Sequence, residues 1–467
     1  MTNPLLRQPH RSHVNVATRY VNLGLRSNPF PSEPAVTPDS DDPRLNGEIY
    51  CESLHEDKRR RFEEMLIRTP NRPSVRSIVF LMDHASRRGR GIGKTAFLNR
   101  RRKNISADLG ASASADTEIV FAAHIIPKSE PQTRKFWQFG RLVIETLNEQ
   151  DALLQALCRL RAKSSMIPEE TLAEAGSPEQ WPQTIADNEW LRSRLRRQDH
   201  DPLISLNTEV CGMLLRARVP DELANAVAYR AHDAFKFRRE YLDGLTDYWW
   251  RRDGGRLVFD GLVKVFMAAD YTRGLLLVDE VEKIVFRQNV QERRAFVDAL
   301  RFYLIDGDSA AALNKFFGLL LTIHPGVQEL LLPHWNAAGL DRLAALGEPE
   351  AQQYTIYLGP LSPDQAEPLV QTYLDYFRSD EKEAGMLKPF DAESVKEALA
   401  LTHGVPGPML NLLHRVIEKA VDEQVPQIDR SFVKSAYDLS KRAEPEAPPG
   451  PAYLPTSTVD LTEREQT

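Results

Sequence analysis

Apolar residues follow two kinds of pattern along this chain. Short unbroken apolar runs bounded by turn residues occur five times, at Ser77–Met82, Ile119–Ile126, Leu275–Val278, Phe316–Ile323 and Tyr354–Leu358. An unbroken run, rather than an alternating one, is what a strand buried on both faces requires. Helix-period stretches separate the runs. The order β-α-β-α predicts an α/β fold with a five-stranded parallel sheet covered on both sides. The interval between the second and third runs is far longer than a crossover needs. It carries helical stretches at 135–148 and 152–162 and a polar, helix-rich continuation to Trp249, which predicts a helical insertion at about 150–255.

After the fifth run only the helical period remains. Ser362-Pro363-Asp364-Gln365 is a capping-box start with proline at the first helical position. Ala366, Leu369, Val370, Tyr373, Leu374 and Phe377 then share one face, as do Met409, Leu412, Leu413, Val416, Ile417, Ala420 and Val421 further on. These stripes predict a C-terminal helical lid bundle over 360–442, following a core over 51–359. Residues 1–50 are rich in Pro, Asn and Asp and read as an irregular N-terminal arm that Phe30, between two prolines, would pin to a folded body. Residues 443–467 hold five prolines and almost no apolar side chains, so a disordered tail is expected.

Composition narrows the class. With 467 residues, 42% hydrophobic and 27% charged, the chain has the profile of a globular protein of two or three domains. Cys51, Cys158 and Cys211 lie far apart, which excludes a disulfide framework and an all-cysteine zinc site. The start has no apolar signal region, and no run reaches the roughly 18 apolar residues of a membrane span. A cytoplasmic protein with no membrane partner is expected.

The chemistry concentrates after the first strand. Gly89, Arg90, Gly91, Ile92, Gly93, Lys94, Thr95 and Ala96 form a glycine-rich turn running into a helix. Such a turn aims backbone N–H groups at an anion, Lys94 reaches the terminal phosphates, and Thr95 ligates Mg²⁺, so ATP and Mg²⁺ are the expected cofactors. The common spacing has a first glycine at the position of Arg88, so the entry to the turn departs from it. A second signal is Leu275-Leu276-Leu277-Val278-Asp279-Glu280, a buried strand ending in two acids. Asp279 would hold the metal and Glu280 would activate the attacking water. Glu282 reads as the solvated face of the next helix. Thr322 and His324 end the fourth run. Thr322 is the preferred γ-phosphate sensor, because alternation points it away from Ile323, and His324 reads equally as a cap.

Together the GRGIGKT turn, the LLLVDE strand, the polar-ended fourth strand and the bundle opening at GPLSPDQAE resemble an AAA+ P-loop ATPase. The origin-recognition (ORC-like) branch is the nearest, with its bacterial ATPases of BREX-type phage-defence and transposition systems. That resemblance implies ATP hydrolysis and an arm around Phe30 lying over the adenine. It also implies a homo-oligomeric ring or filament, in which Arg342 of a neighbour completes the site, and a role on DNA beside other defence or transposition proteins. The family's bundle arginine, in a Gly-x-Pro-Arg stretch, is replaced by Gly407, and the family's terminal winged helix is missing. The missing arginine and Arg88 at the entry to the turn favour an alternative: a nucleotide-driven switch or scaffold that oligomerises and recruits partners with little hydrolysis.

Charge adds one point. The formal net charge is −6, yet Lys58–Lys103 holds fifteen Lys and Arg against the acids Glu63, Glu64 and Asp83. The runs Lys58–Arg61 and Arg100–Lys103 are the candidate DNA contacts.

Overall fold

The computed structural model describes residues 19–33, 36–37, 40–68, 74–83, 91–108, 118–127, 133–195, 201–347 and 349–443. The chain forms two units. One holds Pro34–Leu361 with Val405–Gly407; the other gathers Ser362–Gly404 and the chain from Pro408 onward with the stretch up to Glu33.

The first unit is built on five strands: β1 (Ile78–Asp83), β2 (Val120–Ile125), β3 (Arg273–Val278), β4 (Phe317–Thr322) and β5 (Thr355–Leu358). All pair in parallel, in the order β2-β3-β4-β1-β5. The unbroken apolar runs have a direct structural cause. In β1, Ile78, Phe80 and Met82 enter a core on one face, whereas Val79 and Leu81 enter a separate core on the other. The same division separates Leu276 and Val278 from Leu275 and Leu277 in β3. Successive side chains point to opposite faces, so both parities must be apolar when helices cover both.

Helices of ten residues or more in this unit are α1 (Glu56–Leu66), α2 (Lys94–Asp108), α3 (Phe136–Glu149), α4 (Ala152–Ala162), α5 (Pro202–Arg216), α6 (Asp221–Arg230), α7 (Gly255–Ala268), α8 (Val290–Leu300) and α9 (Pro325–Ala337). The helices from α3 to α7 lie between β2 and β3, and α4, α5 and α6 fall within the stretch of about 150–255 expected as an insertion. They pack through residues with almost no exposure, among them Leu153, Leu157, Val210, Leu223, Val227 and Leu262. Cys51, Cys158 and Cys211 are all buried free thiols.

The second unit is helical: α10 (Pro363–Phe377), α11 (Ala392–Leu401), α12 (Pro406–Asp422, its first two residues grouping with the sheet unit) and α13 (Arg430–Ala443). Ser362 and Gln365 close a reciprocal capping box on α10. Leu369, Val370, Leu374, Met409, Leu413, Val416 and Ile417 fill the core. Phe30 is fully buried in this unit, its ring 5.9 Å from Tyr373 and 6.0 Å from Phe390. Asn28 locks the segment by accepting the Phe30 N–H and donating to the His414 carbonyl and to Glu418. No helix among the described residues is long and apolar enough to cross a membrane.

Candidate functional site

The order β3-β4-β1 puts three carboxyl-terminal strand ends side by side, and the connections leaving β1 and β4 run in opposite directions across the sheet. Such a reversal opens a crevice where α/β sheets bind ligands. Lys94, Thr95, Asp279, Glu280 and Thr322 lie at or next to these strand ends.

Gly91 and Gly93 carry φ of 86° and 95°, a region that only glycine occupies without strain, and they turn the chain into α2. A Cβ built on Gly93 would meet nothing within 4 Å. The Phe97 N–H donates to the Gly93 carbonyl at 2.9 Å, closing the first turn of the helix beneath it. Ile92 is buried and secures the turn to the core, and Ala96 follows Thr95 in the first turn of α2. Gly407 donates to the Gly91 carbonyl at 2.9 Å, so the residue standing where the resemblance would place an arginine touches the turn by its backbone alone. Gly89 and Arg90, with Arg88, lie outside the described residues.

Asp279 is the hub. It follows β3, is 2% exposed, and accepts from the Thr95 hydroxyl at 2.6 Å and from the Thr322 hydroxyl at 3.0 Å. His124, at the end of β2, sets its Nε2 3.5 Å from the same carboxylate, and neither ring nitrogen makes a hydrogen bond. Burial alone would raise the Asp279 pKa. The adjacent His124 ring and the two hydroxyls outweigh it and hold the carboxyl below its ordinary value. Asp279 is thus a buried anion whose hydroxyl partners are themselves oxygen donors. Thr95 and Asp279 together offer the hard oxygen set that suits Mg²⁺, which is ordinarily held by one or two protein oxygens with water and phosphate filling the remaining places. That fits the absence, among the described residues, of any cluster of three or more His, Cys, Asp or Glu side chains placed to hold a metal.

Glu280 is half-buried and sits at φ 47°, in the left-handed region, with its N–H donating to Asp279 Oδ1 at 2.9 Å. Its carboxylate is ion-paired to Lys283. Lys94 Nζ lies 3.2 Å from Oδ2 of Asp83, the last residue of β1, which is 4% exposed and whose Oδ1 is buried without a partner. Glu282 is half-buried rather than on a solvated face, and burial pushes its pKa up, with Glu280 and Asp279 adding to the effect. His324 caps α9, its Nδ1 accepting from the Gly326 N–H at 3.2 Å.

Asp83, His124 and Lys283 are the participants that motif reading passed over, and Glu282 is one it assigned to a solvated face. Asp83 had a visible signal, an acid closing an otherwise apolar run. His124 had none, because only the pairing of β2 with β3 brings it to Asp279.

The remaining two predicted residues are Arg342 and Phe30. Arg342 lies on an exposed turn, Leu340–Arg342, with no ion-pair partner among the described residues. Phe30 has no exposed surface with which to stack on a base.

The two basic runs are partly compensated: three of the four cations of Lys58–Arg61 pair with acids, whereas Arg100–Lys103 meets only Glu52 at close range. Arg59 pairs with Glu63, Arg60 with Glu56 and Lys58 with Asp57, while Arg61 donates to the Gln352 carbonyl. Arg100 and Arg101 share Glu52, and Lys103 donates to the Asn46 carbonyl. Most of the compensating acids lie just outside the window whose charge looked so lopsided.

A glycine turn opening a helix after β1, an acid at the end of β3, a polar residue at the end of β4 and this sheet order together define the P-loop NTPase fold. No protein-family profile matches the chain, and no curated protein matches it in sequence. Among solved structures it is similar to the ORC2 protein of Aeropyrum pernix, determined as ADPNP-ADP complexes. The identity is 9%, with 88% of this chain and 71% of that chain covered, at a TM-score of 0.40. A likeness of that depth transfers no activity and no residue role.

Proposed function

We propose that this chain is an AAA+-type, Mg²⁺-dependent ATP-binding and ATP-hydrolysing protein that works as an oligomer. One observation carries the reading: Thr95 and Thr322, from two different elements, converge on the same buried carboxylate of Asp279, beside the glycine turn and Glu280.

The turn from Gly89 to Ala96 would cradle the phosphates through backbone N–H groups, with Lys94 leaving Asp83 for the terminal phosphate. Thr95 and Asp279 would hold Mg²⁺, which when bound neutralises phosphate charge and polarises the transferred group. Glu280, released from Lys283, would orient the attacking water and take its proton. Thr322, already bonded to Asp279, would couple the γ-phosphate to the metal-binding carboxylate. Arg342, exposed and without an acid partner, would enter the site of an adjacent copy. Phe30 would act by fixing the arm to the helical unit rather than by stacking on adenine.

Service in a phage-defence or mobile-element complex rests on the sequence resemblance. The ion pairs of Lys58, Arg59 and Arg60 weigh against that run as a ready DNA surface, whereas Arg100–Lys103 keeps a surplus of positive charge over Glu52. The alternative, a nucleotide switch with slow hydrolysis, is favoured by one feature: Lys94 and Glu280 are both engaged by internal partners in this structure.

The test is ATP turnover, with and without DNA, beside nucleotide binding. Lys94→Ala should abolish binding. Glu280→Gln should bind ATP while turnover falls by about a hundredfold or more. Binding with equal, negligible turnover in both wild type and Glu280→Gln would leave the switch, and failure to bind nucleotide would remove both readings.

A further inference from the structure

Away from the nucleotide site, the first unit contains a cavity of about 310 Å³ between α3, α7, α8 and the chain segments leading into α7 and out of α8. That volume lies at the small end of ligand pockets, which span about 300–1,000 Å³. Two of the segments abandon α-helical geometry at the cavity: Trp250–Gly254 and Arg301–Asp306 are π-helical, an insertion found mostly where a helix wall is reshaped for function.

The walls are aromatic. Phe136 stacks on Tyr303 at 5.2 Å between ring centres, and Phe139 meets Phe296 edge-on at 5.7 Å. Trp250 completes the wall, 1% exposed, and its indole N–H is buried without an acceptor. A buried donor that nothing in the protein satisfies is costly to leave unmade. Here it belongs to a residue lining an open cavity.

Two glycines sharpen the point. A Cβ on Gly255 would come within 2.9 Å of the Trp250 ring, so that glycine makes room for the protein itself. Gly140 is buried in the middle of α3 and lines the same cavity, yet a Cβ there would meet nothing within 4 Å. Glycine weakens a helix interior relative to alanine, and no neighbouring atom demands it here.

Charge selects the ligand. Glu292 is committed to Arg134 at 2.6 Å, and Asp260 faces Arg256 at 3.9 Å. Lys135 and Arg252 also line the cavity; among the described residues neither makes an ion pair, although Lys135 shares the Glu292 carboxylate electrostatically with Arg134. The lining therefore offers flat apolar faces and more positive side chains, Lys135, Arg251, Arg252 and Arg256, than acids, Asp260 and Glu292.

We propose that this cavity is a second ligand site, distinct from the nucleotide site, for a small planar aromatic anion such as an aromatic carboxylate. The rings seat the apolar body, while Lys135 and Arg252 hold the anionic group.

The probe is 2-naphthoate, titrated calorimetrically into the full chain beside its cationic isostere, 2-naphthylmethylammonium. One site per chain is expected, with the anion bound at least tenfold more tightly than the cation. Gly140→Leu, which fills the open space, should abolish binding. Gly140→Ala should weaken it without lowering the melting temperature, so a folding defect in the leucine variant would not leave the question open. Arg252→Ala should narrow the gap between the two probes. No binding, equal affinity for anion and cation, or affinity unchanged in both Gly140 variants would overturn the proposal.

Discussion

Lys94 and Glu280, the two side chains of which the proposed reaction asks most, are each held by an opposite charge: Lys94 by Asp83 and Glu280 by Lys283. The Asp83 pairing is the more consequential, because its carboxylate is nearly buried and competes directly with phosphate for the lysine. A hydrogen bond to a charged group is worth about 1.5 kcal/mol net, so Asp83→Asn should raise nucleotide affinity about tenfold. Titration of a fluorescent ATP analogue checks this, and unchanged or weaker affinity would contradict it. Glu282 makes a pH prediction. Its folded pKa lies above the ordinary carboxyl value because of burial and the neighbouring acids. It therefore binds its proton more tightly when folded; the resulting stability is present at acid pH and is lost as pH rises through the elevated value. Glu282→Gln should melt at a higher temperature than wild type at pH 7.5, and the advantage should vanish below the ordinary carboxyl range. Thermal melts across that window decide it.

At the scale of elements, the helical insertion rests on an unusual anchor. Arg161, near the end of α4, has no exposed surface and donates to the carbonyls of Ile185 and Ala186 and to the side-chain oxygens of Asn188 and Asn207. No carboxylate is among these partners, and burial lowers its pKa to about 10, which leaves it charged at neutral pH. One guanidinium thus ties α4 to α5 and to the turn between them. Arg161→Met would strand buried carbonyls and should cost about 2–4 kcal/mol. Amide exchange should accelerate through α4, α5 and α6 while β1 and β4 keep their protection; uniform acceleration over the whole unit would refute the local role. The strands show how much of an element local sequence can announce. Each of the five runs became a strand to within a few residues at either end, because double-faced burial writes an unbroken apolar signature. The π-helical segments had no such signature, since an extra residue in a helical turn leaves the apolar period almost intact.

For the whole molecule, the decisive question is whether one chain makes a complete site. Arg342 is exposed and makes no ion pair among the described residues. Arg342→Ala should therefore retain ATP binding and lose about a thousandfold in turnover, the scale of an arginine finger. Mixing it with Glu280→Gln should restore part of the activity, because some junctions would then combine an intact Glu280 with an intact Arg342. Mixtures no more active than either variant alone would exclude a shared site.

The sequence by itself determined the α/β class, the strands, the Gly-Lys-Thr turn and the Asp279-Glu280 pair, because each is written in contiguous residues whose spacing mirrors a local geometry. Only the tertiary structure decided that β3, β4 and β1 are neighbours. That adjacency puts Thr95 and Thr322 on one carboxylate, aims His124 at it and gives Lys94 a partner in Asp83. It also decided the fate of the charge. Part of the basic block counted along the chain is offset in space by Glu52, Glu56 and Asp57 from outside it, since ion pairing acts over a few ångströms and takes no account of position in sequence.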